Sequence, residues 1–190
     1  MKNRYVRILI GALIPIAVLL FLSMLVSSPA PSRPFYGAPQ PKMMVYAHMG
    51  GDGVWPGDTL YAYDQATKLG VDAFDMDAHI TKDGQIVLLH DESVDRTTNG
   101  SGQVEDKTLA ELKQLDAAYK WSSDGGKTFP YRGQGILVPT LDEVFQKYPN
   151  TRYLVEIKLT KRPLARPFCD LIHKYNMQDK VIVASFHNKT

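Results

Sequence analysis

Residues 71–91 read VDAFDMDAHITKDGQIVLLHD, and this stretch decides the fold. Its two ends, residues 71–79 and 86–91, are rich in apolar residues, which is typical of buried strands. Between them lies TKDGQ, in which Asp83 and Gly84 form a dipeptide favoured in tight turns, because glycine readily adopts a positive φ. The stretch therefore predicts a strand, a tight turn and a returning strand.

Outward from this hairpin, short apolar runs alternate with amphipathic segments, as in domains that alternate strands and helices. Three further strands are predicted, at residues 43–48, 153–159 and 181–186. One helix is predicted to begin near Asp58 or Thr59 and to stop at Gly70. Other helices are predicted at residues 108–118, 139–148 and 163–176. The pattern indicates an α/β domain with a mainly parallel sheet.

The first 41 residues differ in composition from the rest of the chain. Three positive charges, Lys2, Arg4 and Arg7, precede an uncharged apolar stretch at residues 8–26, which is long enough to span a bilayer. The length of this stretch and the prolines after it favour a retained anchor over a cleaved signal peptide. Because positive charges remain in the cytoplasm, the domain is expected outside it, as part of a single-pass protein of the cell membrane.

The predicted organisation is therefore an anchor at residues 1–26, a proline-rich linker at 27–41 and a folded domain at 42–190. With 190 residues, of which 44% are hydrophobic, the chain has room for one domain with a substantial core. Its net charge of +2, without a basic run, argues against a nucleic-acid partner. No protein partner is predicted, and the single cysteine, Cys169, excludes an internal disulfide.

Polar residues are expected at the carboxyl ends of several strands, where parallel α/β folds place their active sites. His48 ends the first predicted strand and His90 the third. Asp75 and Asp77 are two positions apart on one strand, so their side chains share a face, and Glu156 interrupts an otherwise apolar strand. Carboxylates gathered in one interior need a cation, and oxygen ligands favour a hard cation.

The combination predicts metal-assisted cleavage of a phosphodiester, with His48 and His90 as general acid and base. Taken singly, each residue has a structural explanation. A strand histidine is often only hydrogen-bonded, Asp75 could cap a helix, and Glu156 could pair with Lys158. Their joint placement at strand ends favours the catalytic interpretation.

Ordered motifs of this sequence resemble the glycerophosphodiester phosphodiesterase family from about residue 46 to residue 186. The motifs are AHMG (47–50), FDMDAHITKDG (74–84), IVLLHD (86–91), DRTTNGSG (95–102), PTLDEV (139–144), VEIK (155–158) and ASF (184–186). The resemblance implies a TIM barrel that hydrolyses glycerophosphodiesters or lysophospholipids to an alcohol and glycerol 3-phosphate or a related phosphate. It also implies dependence on Mg²⁺ or Ca²⁺.

By position, the resemblance makes His48 and His90 the catalytic pair and Lys158 a phosphate-binding residue. The residues that match the family's metal ligands are Asp75, Asp77 and Glu156.

Three positions depart from the family pattern. Met49 stands in place of an arginine, Asp75 in place of a glutamate, and PGDT (56–59) in place of Pro-Glu-Asn-Thr, so that Gly57 carries no carboxylate. Arg96 or Lys158 is expected to supply the missing positive charge to the substrate. The departures motivate an alternative function, a catalytically degenerate membrane-anchored barrel that binds phospholipid head groups or a partner. A sugar-phosphate lyase or isomerase would explain the carboxylates but not the histidine motifs.

A complete TIM barrel takes roughly 250 residues. The folded part of this chain supplies only about five predicted strands. We therefore expect an incomplete barrel and a sequence that is a piece of a longer protein.

Overall fold

The computed structural model describes residues 13–24, 35, 43–158, 161 and 163–186, and the chain divides into two compact units, residues 1–32 and 33–190. In the first unit, residues 13–24 are helical and their large apolar side chains are exposed, from 48% at Leu22 to 77% at Met24. Among the described helices, none combines the length and hydropathy needed to cross a bilayer. Most of the predicted anchor and linker lies outside the described residues, so both stay predictions.

In the described part of the second unit, five strands form one sheet, which is the number that the sequence predicts. The strands are β1 (Tyr46–His48), β2 (Ala73–Ile80), β3 (Ile86–Leu88), β4 (Arg152–Ile157) and β5 (Val181–Ala184). Strands β1, β2, β4 and β5 lie side by side in that order and run parallel. Strand β3 pairs antiparallel with the end of β2, as the tight turn between them predicts.

Where this unit is described, four α-helices lie between the strands along the chain, in the order that the sequence predicts. They are α1 (Leu60–Lys68), α2 (Leu109–Leu112), α3 (Leu141–Lys147) and α4 (Ala165–Lys174). The helix predicted over 108–118 is only one turn long. Beyond it, the Asp116 carboxylate accepts hydrogen bonds from the N–H groups of Ala118 and Gly133, so this side chain stabilises a loop conformation instead of a longer helix.

Two hydrophobic cores hold the domain together. The sheet core lies between the sheet and its helices, and aromatic rings fill much of it, with Phe74 in contact with Tyr63, Tyr148 and Tyr153. The loop core lies under the long connection after β3 and includes Val87, Val94, Val104, Leu112 and Val138. The candidate site residues come from elements of both cores.

Candidate active site

The register of the parallel strands brings four of the predicted site residues to one part of the sheet. His48 on β1 is opposite Asp75 on β2, and Asp77 on β2 is opposite Glu156 on β4. Because β1 ends level with Asp75, its last residue reaches the site directly. The register therefore brings together residues that the sequence distributes over three separate strands.

His90 reaches the same region by a different route. Strand β2 extends beyond the end of β1, and β3 turns back along this extension, with Leu88 opposite Ala78. The N–H of Leu89 then donates to the carbonyl of Asp77 at 3.0 Å, which places His90 just beyond the acidic part of β2. The antiparallel hairpin therefore carries the second histidine back toward the first.

Each histidine has a carboxylate partner that sequence reasoning missed. His48 Nδ1 lies 3.0 Å from Asp52 Oδ1, and His90 Nδ1 lies 2.8 Å from Asp91 Oδ1. The hydrogen bond to Asp52 raises the pKa of His48 above its ordinary value near 6.5. The sequence signal was present, since each acidic residue lies within four positions of its histidine, but short spacing alone does not show that side chains meet.

Asp91 also forms an ion pair with an arginine side chain. Arg96 donates to both of its oxygens, at 2.6 and 2.9 Å. These hydrogen bonds lower the pKa of Asp91 to about 2. Arg96, predicted to contact substrate, therefore lies beside the carboxylate that holds His90.

Lys158 lies between two of the predicted metal ligands. Its Nζ is 2.8 Å from Asp77 Oδ1 and 2.9 Å from Glu156 Oε1, and all three side chains are largely buried. Burial alone would lower the pKa of Lys158, but the hydrogen bonds to Asp77 and Glu156 outweigh it and raise the pKa. Within the described part of the chain, no three histidine, cysteine or acidic side chains converge in the way a metal site requires.

A fourth carboxylate lies beside this group. Asp58 is 3% exposed, and its Oδ1 accepts a hydrogen bond from the Tyr63 hydroxyl, whereas its buried Oδ2 has no partner among the described atoms. Burial and the neighbouring charge of Asp77 raise its pKa well above the ordinary value. Burial, with the charges of Asp77 and Glu156, also raises the pKa of Asp75.

The donor atoms of this set, carboxylate oxygens, are of the type that a hard divalent cation prefers. Four carboxylates are neighbours here, those of Asp58, Asp75, Asp77 and Glu156, and Lys158 pairs with two of them. An excess of buried negative charge is stabilised either by protons or by a cation.

Two cavities open beside these residues. The larger, of about 510 Å³, is lined by His90, Glu156 and Lys158 among others. The smaller, of about 250 Å³, is lined by Asp52, Gly57, Arg96, Lys120 and Trp121 among others. The two predicted substrate-binding cations, Lys158 and Arg96, thus belong to different cavities.

Comparison with known proteins identifies the family of the chain. The sequence profile of the glycerophosphoryl diester phosphodiesterase family matches residues 48–188. The chain belongs to this family.

Curated members of the family are similar over most of this chain. A glycerophosphodiester phosphodiesterase of Caldanaerobacter subterraneus is 39% identical over 152 residues, covering 77% of this chain and 59% of the relative. The human lysophospholipase D GDPD1 is 32% identical over 136 residues, covering 70% and 41%. The chain therefore spans about half the length of these relatives.

The solved structure of a bacterial phosphodiesterase has a similar fold. The phosphodiesterase of Oleispira antarctica, in complex with the product sn-glycerol-3-phosphate, matches with a TM-score of 0.62 and 29% identity, over 77% of this chain and 58% of that one. The described sheet is part of this TIM-barrel-type α/β fold. The family resemblance and the fold class deduced from the motifs are thereby confirmed.

The structure places two of the family departures side by side. Met49 is 6% exposed and has a positive φ of 49°. A Cβ atom on Gly57 would lie 3.2 Å from the Cβ of Met49. The arginine and the glutamate of the family pattern would therefore be neighbours, and both are absent here.

Proposed function

We propose that this domain hydrolyses glycerophosphodiesters, including lysophospholipids, to an alcohol and glycerol 3-phosphate or a related phosphate. The observation that carries the proposal is the pair of histidines, each hydrogen-bonded to its own carboxylate, beside the acidic residues of β2 and β4. The names of the bacterial and human relatives and the product bound to the Oleispira enzyme support the substrate class.

The two histidines supply the proton transfers. One takes the proton from a neighbouring hydroxyl of the substrate, whose oxygen forms a new bond to phosphorus and gives a cyclic phosphate. The other donates a proton to the alcohol oxygen as its bond to phosphorus breaks. Water then opens the cyclic phosphate, with the two histidines in exchanged roles, and both end in their starting protonation states.

Asp75, Asp77 and Glu156 are the proposed ligands of a Mg²⁺ or Ca²⁺ ion. Such an ion would offset negative charge that develops on the phosphoryl group. Lys158, which lines the same cavity as His90, is the proposed contact for a phosphoryl oxygen.

The test uses the full chain in detergent with glycerophosphocholine, glycerophosphoethanolamine and lysophosphatidylcholine. Products are followed by ³¹P NMR with Mg²⁺, with Ca²⁺ and with EDTA. We expect release of the free alcohol that stops in EDTA and in the His90→Ala variant. Absence of hydrolysis of all three substrates with either metal would contradict the proposal.

Met49 favours a second candidate, a barrel that binds head groups without turnover, because its buried apolar side chain supplies no charge to a phosphate. Equilibrium binding of the same substrates without product formation would support this candidate. In that case, Met49→Arg should create or strongly increase turnover, whereas an already active parent chain rejects the candidate.

We also propose that the N-terminal apolar segment anchors the domain on the extracytoplasmic side of the cell membrane. The exposed apolar side chains of residues 13–24 support this, because such a surface is stable when lipid covers it. The single cysteine gives a direct test, since Cys169 is exposed. A membrane-impermeant maleimide should label it in intact cells but not in a Cys169→Ser control, and labelling only after lysis would overturn the proposal.

A further inference from the structure

We propose that Asp52 is the positioning residue of His48 and holds the imidazole in the tautomer protonated on Nδ1. Position 57 is glycine because any side chain there would clash with Asp52. This inference deepens the proposed function and rests on it, since it assumes that His48 transfers protons. Asp52 is not among the residues that the motifs predict for the site.

The backbone after β1 is folded so that residue 52 returns to His48. The N–H groups of Gly51 and Asp52 both donate to the His48 carbonyl, at 2.7 and 3.3 Å. This tight turn places the Asp52 carboxylate 3.0 Å from Nδ1 of the ring. A carboxylate accepts and cannot donate, so it selects the tautomer with hydrogen on Nδ1 and leaves Nε2 to exchange protons with substrate.

Gly57 is required by this arrangement. A Cβ atom added at position 57 would lie 2.7 Å from the Cβ of Asp52, closer than carbon atoms of two side chains can approach. A side chain at 57 and the observed position of Asp52 therefore exclude each other. The carboxylate that PGDT lacks relative to the family pattern is replaced by one that contacts the histidine directly.

A tryptophan from a distant loop supports the same turn. The indole Nε1 of Trp121 donates to the backbone carbonyl of Asp52 at 3.1 Å, and its ring packs edge-on against Tyr131. The Asp52 backbone is thus held by a residue 69 positions away along the chain. A turn with this support keeps the carboxylate in place while the partly exposed ring of His48 takes up and releases protons.

The hydrogen bond that His48 donates to Asp52 is also the largest cause of the raised pKa of His48, and the charges of Asp75 and Asp77 act in the same direction. Removing the Asp52 charge should therefore alter the protonation of His48 as well as its orientation. Both effects can be measured without substrate.

The decisive experiment is ¹⁵N NMR of the histidine side chains in the full chain, with and without Asp52→Asn. The chain has five histidines, and a His48→Gln spectrum identifies the His48 signals. We expect Nδ1–H in the parent chain, and a shift toward Nε2–H with a lower pKa in Asp52→Asn. Unchanged His48 signals would overturn the proposal even if the chain proves to be active.

Kinetics provide the second measurement. Asp52→Asn should lower kcat about 10- to 100-fold and leave KM within about twofold, because the carboxylate acts through the histidine and not on the substrate. Asp179→Asn, the same change at an exposed aspartate remote from the site, is the matched control and should have no effect. If hydrolysis is absent in the parent chain, the NMR result still decides the tautomer, so failure of the function and failure of the positioning role are distinguishable.

The space requirement is tested by a double-mutant cycle. Gly57→Ala should lower kcat as Asp52→Asn does and should weaken the Nδ1–H signal. In an Asp52→Gly background, where the opposing Cβ is gone, the same Gly57→Ala change should cause little additional loss. Equal losses in both backgrounds would show that Gly57 acts independently of Asp52 and would overturn this part of the proposal.

Discussion

The surroundings of His48 and of His90 differ in a way that suits a pair with unequal roles. His48 ends a strand of the parallel sheet, and its carboxylate partner, Asp52, is held through its backbone by Trp121. His90 follows an antiparallel strand, and its partner, Asp91, also forms an ion pair with Arg96. One imidazole thus faces a carboxylate held by a neutral group, and the other faces a carboxylate that is already paired. Such unequal electrostatics allow two like groups to serve as acid and base.

Replacing either histidine should have the largest effect and test whether the comparison extends to function. His48→Ala and His90→Ala should each lower kcat about 10²- to 10⁴-fold, because each removes one proton transfer. Both side chains are substantially exposed, at 63% and 45%, so thermal unfolding should be nearly unchanged. Turnover close to that of the parent in either variant would refute the pairing of roles.

Replacing Lys158 tests how the buried carboxylates of the parallel strands are stabilised. Lys158→Met leaves Asp77 and Glu156 without their shared cation, and should lower the free energy of unfolding by about 2 kcal/mol in EDTA. Ca²⁺ should then stabilise the variant more than the parent, because the competing ammonium is gone. Lys161→Met is the matched control, since Lys161 pairs with Glu105 but is 83% exposed, and its replacement should leave the free energy of unfolding nearly unchanged.

Replacing Asp58 tests whether its buried carboxylate, close to that of Asp77, lowers the free energy of unfolding. The pKa of Asp58 is higher in the folded than in the unfolded chain, so folding takes up a proton at pH values above the unfolded pKa near 3.9. The free energy of unfolding therefore decreases as pH rises from about 3.9 toward the folded pKa. Asp58→Asn removes this cost and keeps an oxygen that can accept from Tyr63. In EDTA it should be about 1 kcal/mol more stable than the parent at pH 7 and show no such gain near pH 4. An equal difference at both pH values in urea unfolding would exclude this account.

Replacing Arg96, which pairs with the carboxylate partner of His90, should have the smallest effect. The pKa of Asp91 is lowered to about 2, so the ion pair contributes stability above the unfolded pKa near 3.9 and loses it as pH falls through about 2. Arg96→Met should cost less than about 1 kcal/mol at pH 7, since the guanidinium is more than half exposed. The difference from the parent should shrink as pH falls from about 4 and be largely lost by about pH 2. A loss that is undiminished at pH 2 in urea unfolding would assign Arg96 a packing role instead.

The sequence predicts much of the frame and part of the site. Alternating apolar residues and the Asp83-Gly84 turn predict the hairpin, and strand-end placement predicts the neighbours Asp75, Asp77 and Glu156, because register follows from few rules. Contacts that depend on loop geometry could not be predicted. The meeting of Asp52 with His48 and that of Arg96 with Asp91 belong to this class.

Asp58 illustrates the same limit of local patterns. Its place before a helix suggests a cap, but Thr59 performs that role by accepting from the Ala62 N–H. Asp58 has a positive φ of 53° instead, and its side chain is buried. Only the tertiary fold shows that this side chain lies beside Asp77.

The hairpin of β2 and β3 also has an evolutionary consequence. Leu88 N–H donates to the carbonyl of Pro139 at 2.9 Å, so the chain leaves the sheet after β3 and returns to nearly the same point. The intervening fifty residues pack largely on their own core. Insertions or deletions there can reshape the entrance to the site without shifting any parallel strand. Under the proposed function, a lineage could thus exchange one head-group preference for another by remodelling this excursion, while the histidines and carboxylates of the sheet stay in place.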